Sequence, residues 1–488
     1  MATQQSIGNR WPASPSSIDR SSVGGASSPF DPRRRSERER TYKEAVKRMQ
    51  ERGVKNVQFE VVDLNSMLRG KYSPVSKVKE TGISFAAAIY ALTYGEEFFE
   101  APFGNYGDGF PNAYAVPDLD TFIQWPWRKD MSSVLTDMYL SNGDVCMLDP
   151  RQILRSVVRR ADAMGYEGRF SLEYEFHLFY ADDDAIREKR YRDLKPFGRI
   201  PHAYALHRFP NFDHLAETFM ERMEQIGIHV EGVHTELGAG ALEYALAPLP
   251  ALQAADAAMR TKLYLKQLAA EHGLIATFMT KWHEEEVACG GHHHLSLWRG
   301  GKPALHDPAT NDLSEVGRHF VAGMSQTLPD VHLLMRATAN TYRRVDVKSW
   351  NPENNAWGYD NRTAALRFIQ GFEPSAYRFE NRCPGSDVNP YLSIAAMLAG
   401  GLHGIQQRLQ PGEPAVGNPV GDSRWRKLST TLEGSIRDFE QSRFAREWLG
   451  EDFARLMVLK SRAELAGWNK QTDPRVSTWE YDRYFESA

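Results

Sequence analysis

The sequence predicts an α+β protein in which a small β-rich N-terminal domain precedes a larger domain of helices and strands. Three observations lead there. Strand-like segments fill the chain up to about Trp127, a helix with a clear start signal opens at Asp149-Pro150, and the strands beyond it are polar on one face. Parallel strands buried on both faces read as continuous Val/Ile runs, so one-sided polarity favours an antiparallel sheet with helices on its other side. The expected division is a disordered tail over 1–40, an N-terminal domain over 41–148 and a second domain over 149–488, which the charged strands described below make the catalytic one.

Each element follows in order. Residues 1–40 are rich in Ser, Pro, Gly and Arg without apolar periodicity, which predicts a solvated tail, the Arg33–Arg35 run included. A helical pattern starts near Thr41 and passes into the strand NVQFEVVDL, a turn at Asn65-Ser66 and a further strand through ISFAAAIYAL. Asp149 is an N-cap acid with Pro150 at the first helical position, and Ile153, Leu154, Val157, Val158 and Ala161 recur at helical spacing. Residues 213–226 and 256–272 read as amphipathic helices, the second stopped by Gly273, and Asn389-Pro390 caps another.

Composition narrows the function. The chain of 488 residues carries 59 Lys plus Arg against 63 Asp plus Glu, a net charge of −4 that argues against a nucleic-acid partner. Cys146, Cys289 and Cys383 lie far apart with no CxxC spacing, which predicts neither a disulfide framework nor a thiolate metal site. No apolar run reaches the roughly 18–20 residues of a membrane helix, and the first forty lack a signal-peptide core. A soluble, cytoplasmic protein without a membrane partner is expected.

The chemistry lies in strands that carry charge where a core belongs. In SLEYEFHLFY, Glu173 and Glu175 project from one face, and HTELGAGALEYAL places Glu236 and Glu243 on either side of a Gly-rich turn. GGHHHLSLW puts His292, His294, Ser296 and Trp298 on one face, and YRFENRCPG alternates Arg378, Glu380 and Arg382. If these strands are neighbours, five carboxylates and an imidazole share one volume, which needs about two or three divalent ions for neutrality. An oxygen-rich set with one histidine suits Mg²⁺ or Mn²⁺ better than zinc. Arg344, Arg362, Arg367, Arg378 and Arg382 then read as phosphate and carboxylate binders, a phosphoryl-transfer arrangement without a P-loop.

In their order along the chain, VDLNSMLRGK, EYEF, Glu236 to Glu243, FMTK with GGHHHLSLW, NTYRR, NRTAALRF and RFENRCPGSDVNPYL resemble the glutamine synthetase family from about residue 55 to 410. The resemblance implies a β-grasp-like N-terminal domain, a curved antiparallel catalytic sheet flanked by helices, and a homo-oligomeric ring, commonly a dodecamer of two hexamers with active sites between subunits. It implies Glu175, Glu236 and Glu243 as ligands of one metal, and Glu173, His292 and Glu380 as ligands of the metal on the nucleotide phosphates. Arg344 and Arg382 match arginines that hold glutamate; Arg362, Arg367 and Arg378 match those serving ATP and the moving phosphoryl, and His294 and Ser296 match nucleotide-side positions. The implied catalytic residues are Arg362, Arg344 and Glu243, and the implied reaction joins the γ-carboxylate of L-glutamate to an amine through γ-glutamyl phosphate.

The departures concern the amine. Ammonia-using members carry a flap Glu in a G-Y-E-A-P context, where this chain reads Lys348, Ser349, Trp350, Asn351 and Pro352; their Asp-Gly-Ser-Ser element is replaced by FAAAIYALTYG. An indole has a π-face and one donor but no base, so ammonium loses its anion. Trp350, Trp357, Tyr90 and Ala86–Ala88 are expected to form an apolar amine pocket, worth about 2–3 kcal/mol for a six-carbon ring. Aniline or an alkylamine is the leading acceptor. Glu96, Glu97 and Glu100 leave a polyamine or ethanolamine as an alternative, beside ammonia itself and an inactive structural or regulatory family member. Ala241, and Val287-Ala288-Cys289, depart from the usual residues on the glutamate side.

Overall fold

The computed structural model describes residues 30–31, 33, 35–101, 104–198, 202–207, 212–344, 350–471 and 475–488. The first helix, α1 (Arg35–Glu51), begins six residues before the expected start, because the Ser-Glu-Arg-Glu-Arg run favours helix and Glu39 pairs with Lys43 one turn on. The proposed tail thus ends earlier than residue 40; Phe30 within it packs on Tyr114 and Tyr139, and residues 1–29, 32 and 34 lie outside the described residues. α1 buries Tyr42 and Met49 against Val57, Phe59 and Val134 of the first sheet.

That sheet comprises β1 (Asn56–Val62), β2 (Leu68–Pro74), β3 (Ile83–Ala86), β4 (Asn112–Pro117), β5 (Ile123–Gln124) and β6 (Met131–Leu140) in the order β2-β1-β6-β4-β3, with β5 beside β6. β1 and β6 run parallel and the other pairs antiparallel. Alternation along β1 turns Val57 and Phe59 toward α1 and Glu60 toward the rest of the molecule. The expected strand ISFAAAIYAL stops at Ala86, and Ala87–Ala91 form a 3₁₀ turn instead. Consecutive alanines favour helical geometry over a strand, and this turn buries Ala87, Ala88, Tyr90 and Ala91 together.

The second sheet is built around β7 (Glu167–Tyr180). With β8 (Val230–Thr235), β9 (Ala241–Leu246), β12 (Gly291–Arg299), β16 (Trp357–Tyr359), β17 (Leu366–Ile369) and β18 (Arg378–Asn381) it runs β16-β17-β18-β12-β7-β9-β8. β10 (Leu249–Pro250) and β11 (Leu274–Thr277) also pair with β7, and β13 (Lys302–Pro303) with β12. Every pairing is antiparallel except β16 with β17. The curled sheet is half a barrel, and β14 (His306–Asp307) with β15 (Asp312–Leu313) forms a separate ribbon.

Helices cover the face of this sheet that carries Phe170, Leu172 and Tyr174. α2 (Pro150–Ala163) starts as expected, the Asp149 carboxylate accepting from Arg151 N at 2.9 Å. α3 (Asp183–Arg187) and α4 (Asp213–Gln225) follow. α5 (Ala251–Glu271) starts five residues before the expected 256, directly after Pro250, since Ala-Leu-Gln-Ala-Ala needs no further signal to be helical. Its Lys262 ammonium lies 4.2 Å from the Tyr174 ring centroid, which places α5 behind the sheet. α6 (Glu315–Val331) and α7 (Pro390–Gln407) pack against each other, and α8 (Leu432–Gln441), α9 (Arg443–Leu449), α10 (Glu451–Trp468) and α11 (Thr478–Tyr484) complete the chain. The two sheets are locked by buried ions: Arg260 of α5 donates to Glu60 at 2.8 Å, and Arg151 of α2 reaches Asp118, Asp137 and Asp256. Cys146, Cys289 and Cys383 are free and buried. No described helix is long and apolar enough to cross a membrane.

Candidate active site

The face of the second sheet opposite α5 carries the charged stripe. Antiparallel register sets Glu175 of β7 directly opposite Glu243 of β9, and Glu243 in turn opposite His234 of β8. On the other flank Glu173 faces His292 of β12, and His294 of β12 faces Glu380 of β18, which faces Arg367 of β17. Residues separated by hundreds of positions thus share one surface because their strands have a period of two.

Two groups of ligand-competent atoms form on this face. Glu173, His292 and Glu380 make the first: His292 Nδ1 lies 3.7 Å from Glu173 Oε2 and 3.6 Å from Glu380 Oε1. His234, Glu236 and Glu243 make the second, with His234 Nε2 3.3 Å from Glu236 Oε1 and 3.6 Å from Glu243 Oε1. Glu175 stands beside both: a Cβ on Gly290 would come 2.9 Å from its Oε1 and 2.7 Å from His292 Nε2.

Burial and the crowding of Glu173, Glu175, Glu236 and Glu380 push the Glu243 carboxyl up to about 10. Burial opposes ionisation of Glu173 too, but the His294 and His292 imidazoles hold it well below the usual range. Glu380 is likewise buried and is held low by Arg382, His292 and His294. So much anionic charge around Glu243 is the signature of a site built for cations, and an oxygen-rich set with one imidazole per group fits Mg²⁺ or Mn²⁺.

Arginines rim the cluster. Arg344 donates through Nη1 to Pro384 O at 2.6 Å, and its Nη2 lies 3.4 Å from His292 Nε2; burial and the nearby Arg336 lower it to about 10. Arg382 contacts Glu380 Oε1, and Arg367 bridges Glu380 at 3.0 Å and Asp360 at 2.9 Å. Arg378 Nε donates to His294 Nδ1 at 3.1 Å, while His294 Nε2 lies 2.9 Å from Glu173 Oε1. Arg362 is exposed and makes no hydrogen bond or ion pair among the described residues. Ser296 Oγ accepts from Trp298 Nε1 at 2.9 Å at the outer end of β12.

The structure corrects the pocket expected on the amine side. Tyr90 and Trp357 are each 1% exposed and belong to the hydrophobic core, Trp357 Nε1 donating to Gly412 O, so neither lines the site within this chain. Ala87 and Ala88 are buried as well. Glu96 and Glu97 pair with Arg69 and Arg483, and Glu100 is exposed without an ion pair among the described residues. Trp350 is 58% exposed with a left-handed φ of 49°; Lys348 and Ser349 lie outside the described residues.

Two residues escaped the sequence analysis. His234 was legible, since it stands two positions before Glu236 on the strand VEGVHT and shares its face. Tyr204 carried no signal: its loop is pinned to β8 by Tyr204 N donating to Thr235 O at 2.9 Å, and its ring stacks on His234 with centroids 4.4 Å apart. Its phenol is raised by burial and by the nearby carboxylates of Glu236, Glu243 and Glu173.

The family described as glutamine synthetase, catalytic domain, matches residues 147–484. The chain belongs to the glutamine synthetase family. Among relatives in this family, the glutamate–isopropylamine ligase of a Pseudomonas species is 32% identical over 449 residues, covering 90% of this chain and 96% of its own. The gamma-glutamylethanolamide synthetase of Streptomyces coelicolor is 33% identical over 383 residues, covering 78% and 80%. A solved structure titled as a GmaS/ADP complex superposes with a TM-score of 0.76 at 25% identity, covering 88% of this chain and 97% of that one. Glutamine synthetases as a family use ATP and divalent metal ions.

Proposed function

We propose that the protein is an ATP-dependent ligase that joins the γ-carboxylate of L-glutamate to a small amine, with an apolar monoamine such as isopropylamine or aniline as the best acceptor. The observation that supports it is the contrast between the two ends of the site. Acids, imidazoles and arginines crowd the phosphoryl side, whereas the flap position of the ammonium-binding Glu holds Trp350, and the second lost acid is replaced by alanines. The relatives named for isopropylamine and ethanolamide support an amine larger than ammonia.

The chemistry follows from the groups in place. A carboxylate is a poor electrophile, so its oxygen first attacks the γ-phosphorus of ATP, ADP departs, and γ-glutamyl phosphate forms. The amine nitrogen then attacks the acyl carbon, phosphate leaves with the bonding pair, and the nitrogen gives up a proton. Arg344 and Arg382 hold the glutamate carboxylate, while Arg367 and Arg378 orient the nucleotide phosphates together with His294 and Ser296. Arg362, exposed and unengaged among the described residues, can close on the moving phosphoryl without breaking a bond. Glu173, His292 and Glu380 would hold one divalent ion and Glu175, Glu236, Glu243 and His234 another, and such ions neutralise phosphate charge. Trp350, at the flap position, would flank the acceptor, and exclusion of water protects the acyl phosphate.

The test is phosphate release from ATP with glutamate and Mg²⁺, run in parallel with ammonium, methylamine, isopropylamine, ethanolamine, putrescine and aniline. Isopropylamine or aniline should exceed ammonium in kcat/KM by about tenfold or more, about 1.4 kcal/mol of transition-state preference. Ammonium winning would overturn the reading. Trp350→Glu should raise the ammonium-to-isopropylamine ratio by about tenfold, and an unchanged ratio would remove Trp350 from the pocket wall. The same reading carries a ring of subunits, and sedimentation of the intact protein tests it by giving the mass of the assembly.

A further inference from the structure

We infer that Glu480, on the C-terminal helix α11, is a positioning residue for the acyl-donor pocket: it fastens the segment carrying Arg344 to the loop carrying Gly290. This rests on the reading of Arg344 as the residue that holds the donor's carboxylate.

Glu480 does two jobs with two oxygens. Oε2 closes a capping box at the start of α11, accepting from Ser477 N at 2.8 Å and from Ser477 Oγ at 3.1 Å. A cap requires no more than that. Oε1 reaches away from the helix and accepts from Arg343 Nε at 2.7 Å and from Asn340 Nδ2 at 2.8 Å, while Arg343 Nη2 donates to Oε2 at 2.9 Å. The carboxylate is fully buried, so these are charge-assisted bonds shielded from water.

Both partners belong to the 3₁₀ turn Asn340–Arg344, whose last residue is the arginine against His292. Asn340 passes the connection on. Its side chain clamps the backbone of Lys281 in both directions, Nδ2 donating to Lys281 O and Oδ1 accepting from Lys281 N, each at 2.8 Å. Lys281 opens the loop toward β12; its ammonium contacts Glu286 O, and Tyr481 of α11 donates to Trp282 O at 2.6 Å. At the loop's far end Cys289 N donates to Thr280 O at 2.8 Å, and Gly290 O accepts from Glu175 N at 3.0 Å. Gly290 is the point on which Glu175, His292 and Arg344 converge. One carboxylate therefore holds both walls of the pocket in register, although Glu480 itself touches neither cluster of ligand atoms.

A helix that merely docked would influence stability alone. A positioning role predicts a selective effect on the donor: misplacing Arg344 weakens glutamate binding and leaves the nucleotide side, built on β12, β17 and β18, in place. The experiment compares the full chain with Glu480→Gln and Glu464→Gln, using the best amine of the panel and Mg²⁺. Glu464 is the matched control, a buried carboxylate of the same C-terminal bundle that accepts from Arg483 and Tyr484 and has no bond to the Asn340–Arg344 turn. Glu480→Gln should raise KM for glutamate about tenfold, with KM for ATP within about twofold and kcat within about threefold of the parent. Glu464→Gln should lower the melting temperature without moving KM for glutamate.

Asn340→Ser removes the bonds of the Asn340 amide to Lys281 and to Glu480 while leaving Arg343 on Glu480, and it should raise KM for glutamate in the same direction; it decides the matter if Glu480→Gln does not fold. An unchanged KM for glutamate in a folded Glu480 or Asn340 variant overturns the inference, as does a parallel rise in KM for ATP or an equal effect from Glu464→Gln. Failure of the functional reading is separate: the parent protein would then release no phosphate with glutamate and any amine. The same comparison on the carboxylic acid that does turn over would still test Glu480.

Discussion

Gly290 has no side chain to spare. A Cβ there would stand 2.7 Å from His292 Nε2, 2.8 Å from Arg344 Nη2 and 2.9 Å from Glu175 Oε1. Each is the far end of a side chain, so Gly290→Ala can fold by pushing them outward, and its cost falls on geometry rather than stability. A displacement of about 1 Å in such groups costs about 100-fold, so kcat/KM for glutamate should drop by about that factor while the melting temperature changes little. A variant with near-parental kcat/KM would show that these three side chains are not jointly needed. At this scale much was legible, because a strand's period of two puts Glu173 with Glu175 and His292 with His294 on one side without further information. Tyr204 was not, since it is the bonds of its loop's backbone to Thr235 that bring it over His234.

Among the elements, α6 and α7 meet closely because glycines line both. A Cβ on Gly323 would lie 2.2 Å from Gly400 O and 2.5 Å from Gly404 Cα, and a Cβ on Gly404 would lie 2.1 Å from His319 O. Those obstacles are backbone, which cannot rotate aside, so Gly323→Ala forces the helices apart. It should cost about 1–3 kcal/mol, read as a lower urea midpoint, with an unchanged midpoint refuting the close approach. Helix starts were well signposted in the sequence where a side chain caps them, as at Asp149 and Asn389. They were misplaced at Arg35 and Ala251, where propensity rather than a capping side chain begins the helix. ISFAAAIYAL shows the opposite error: its apolar run reads as a strand, but its consecutive alanines favour helical geometry and a buried turn forms instead.

For the whole molecule, a buried neutral histidine sets an acid limit on stability. His332 is fully buried, and burial together with Arg336 holds its imidazole well below the ordinary value. In the unfolded chain it takes a proton near about 6.5, so below that pH the unfolded state binds more protons. Its contribution is therefore complete above about pH 6.5 and is lost as pH falls from there toward the folded value. Between pH 7.5 and 5 the parent should lose about 2 kcal/mol more unfolding free energy than His332→Gln, measured by urea titration at both pH values. Equal losses would mean that His332 protonates within the fold.

The class of chemistry is readable from the residues alone. Acids at alternate positions on apolar strands are too costly to bury without cations, and arginines beside them imply anions to hold, whatever the exact pairing of the strands. Which groups meet depends on how the strands pair and pack. Cross-strand register joined His234 to Glu236 and Glu243, while Glu175 took its place between the two clusters. Packing also withdrew Tyr90 and Trp357 from the amine pocket into the core. The reason is physical: alternation along a strand is local, so charge patterns can be read residue by residue, but an aromatic ring serves a core and a pocket equally well, and only the packing around it tells them apart.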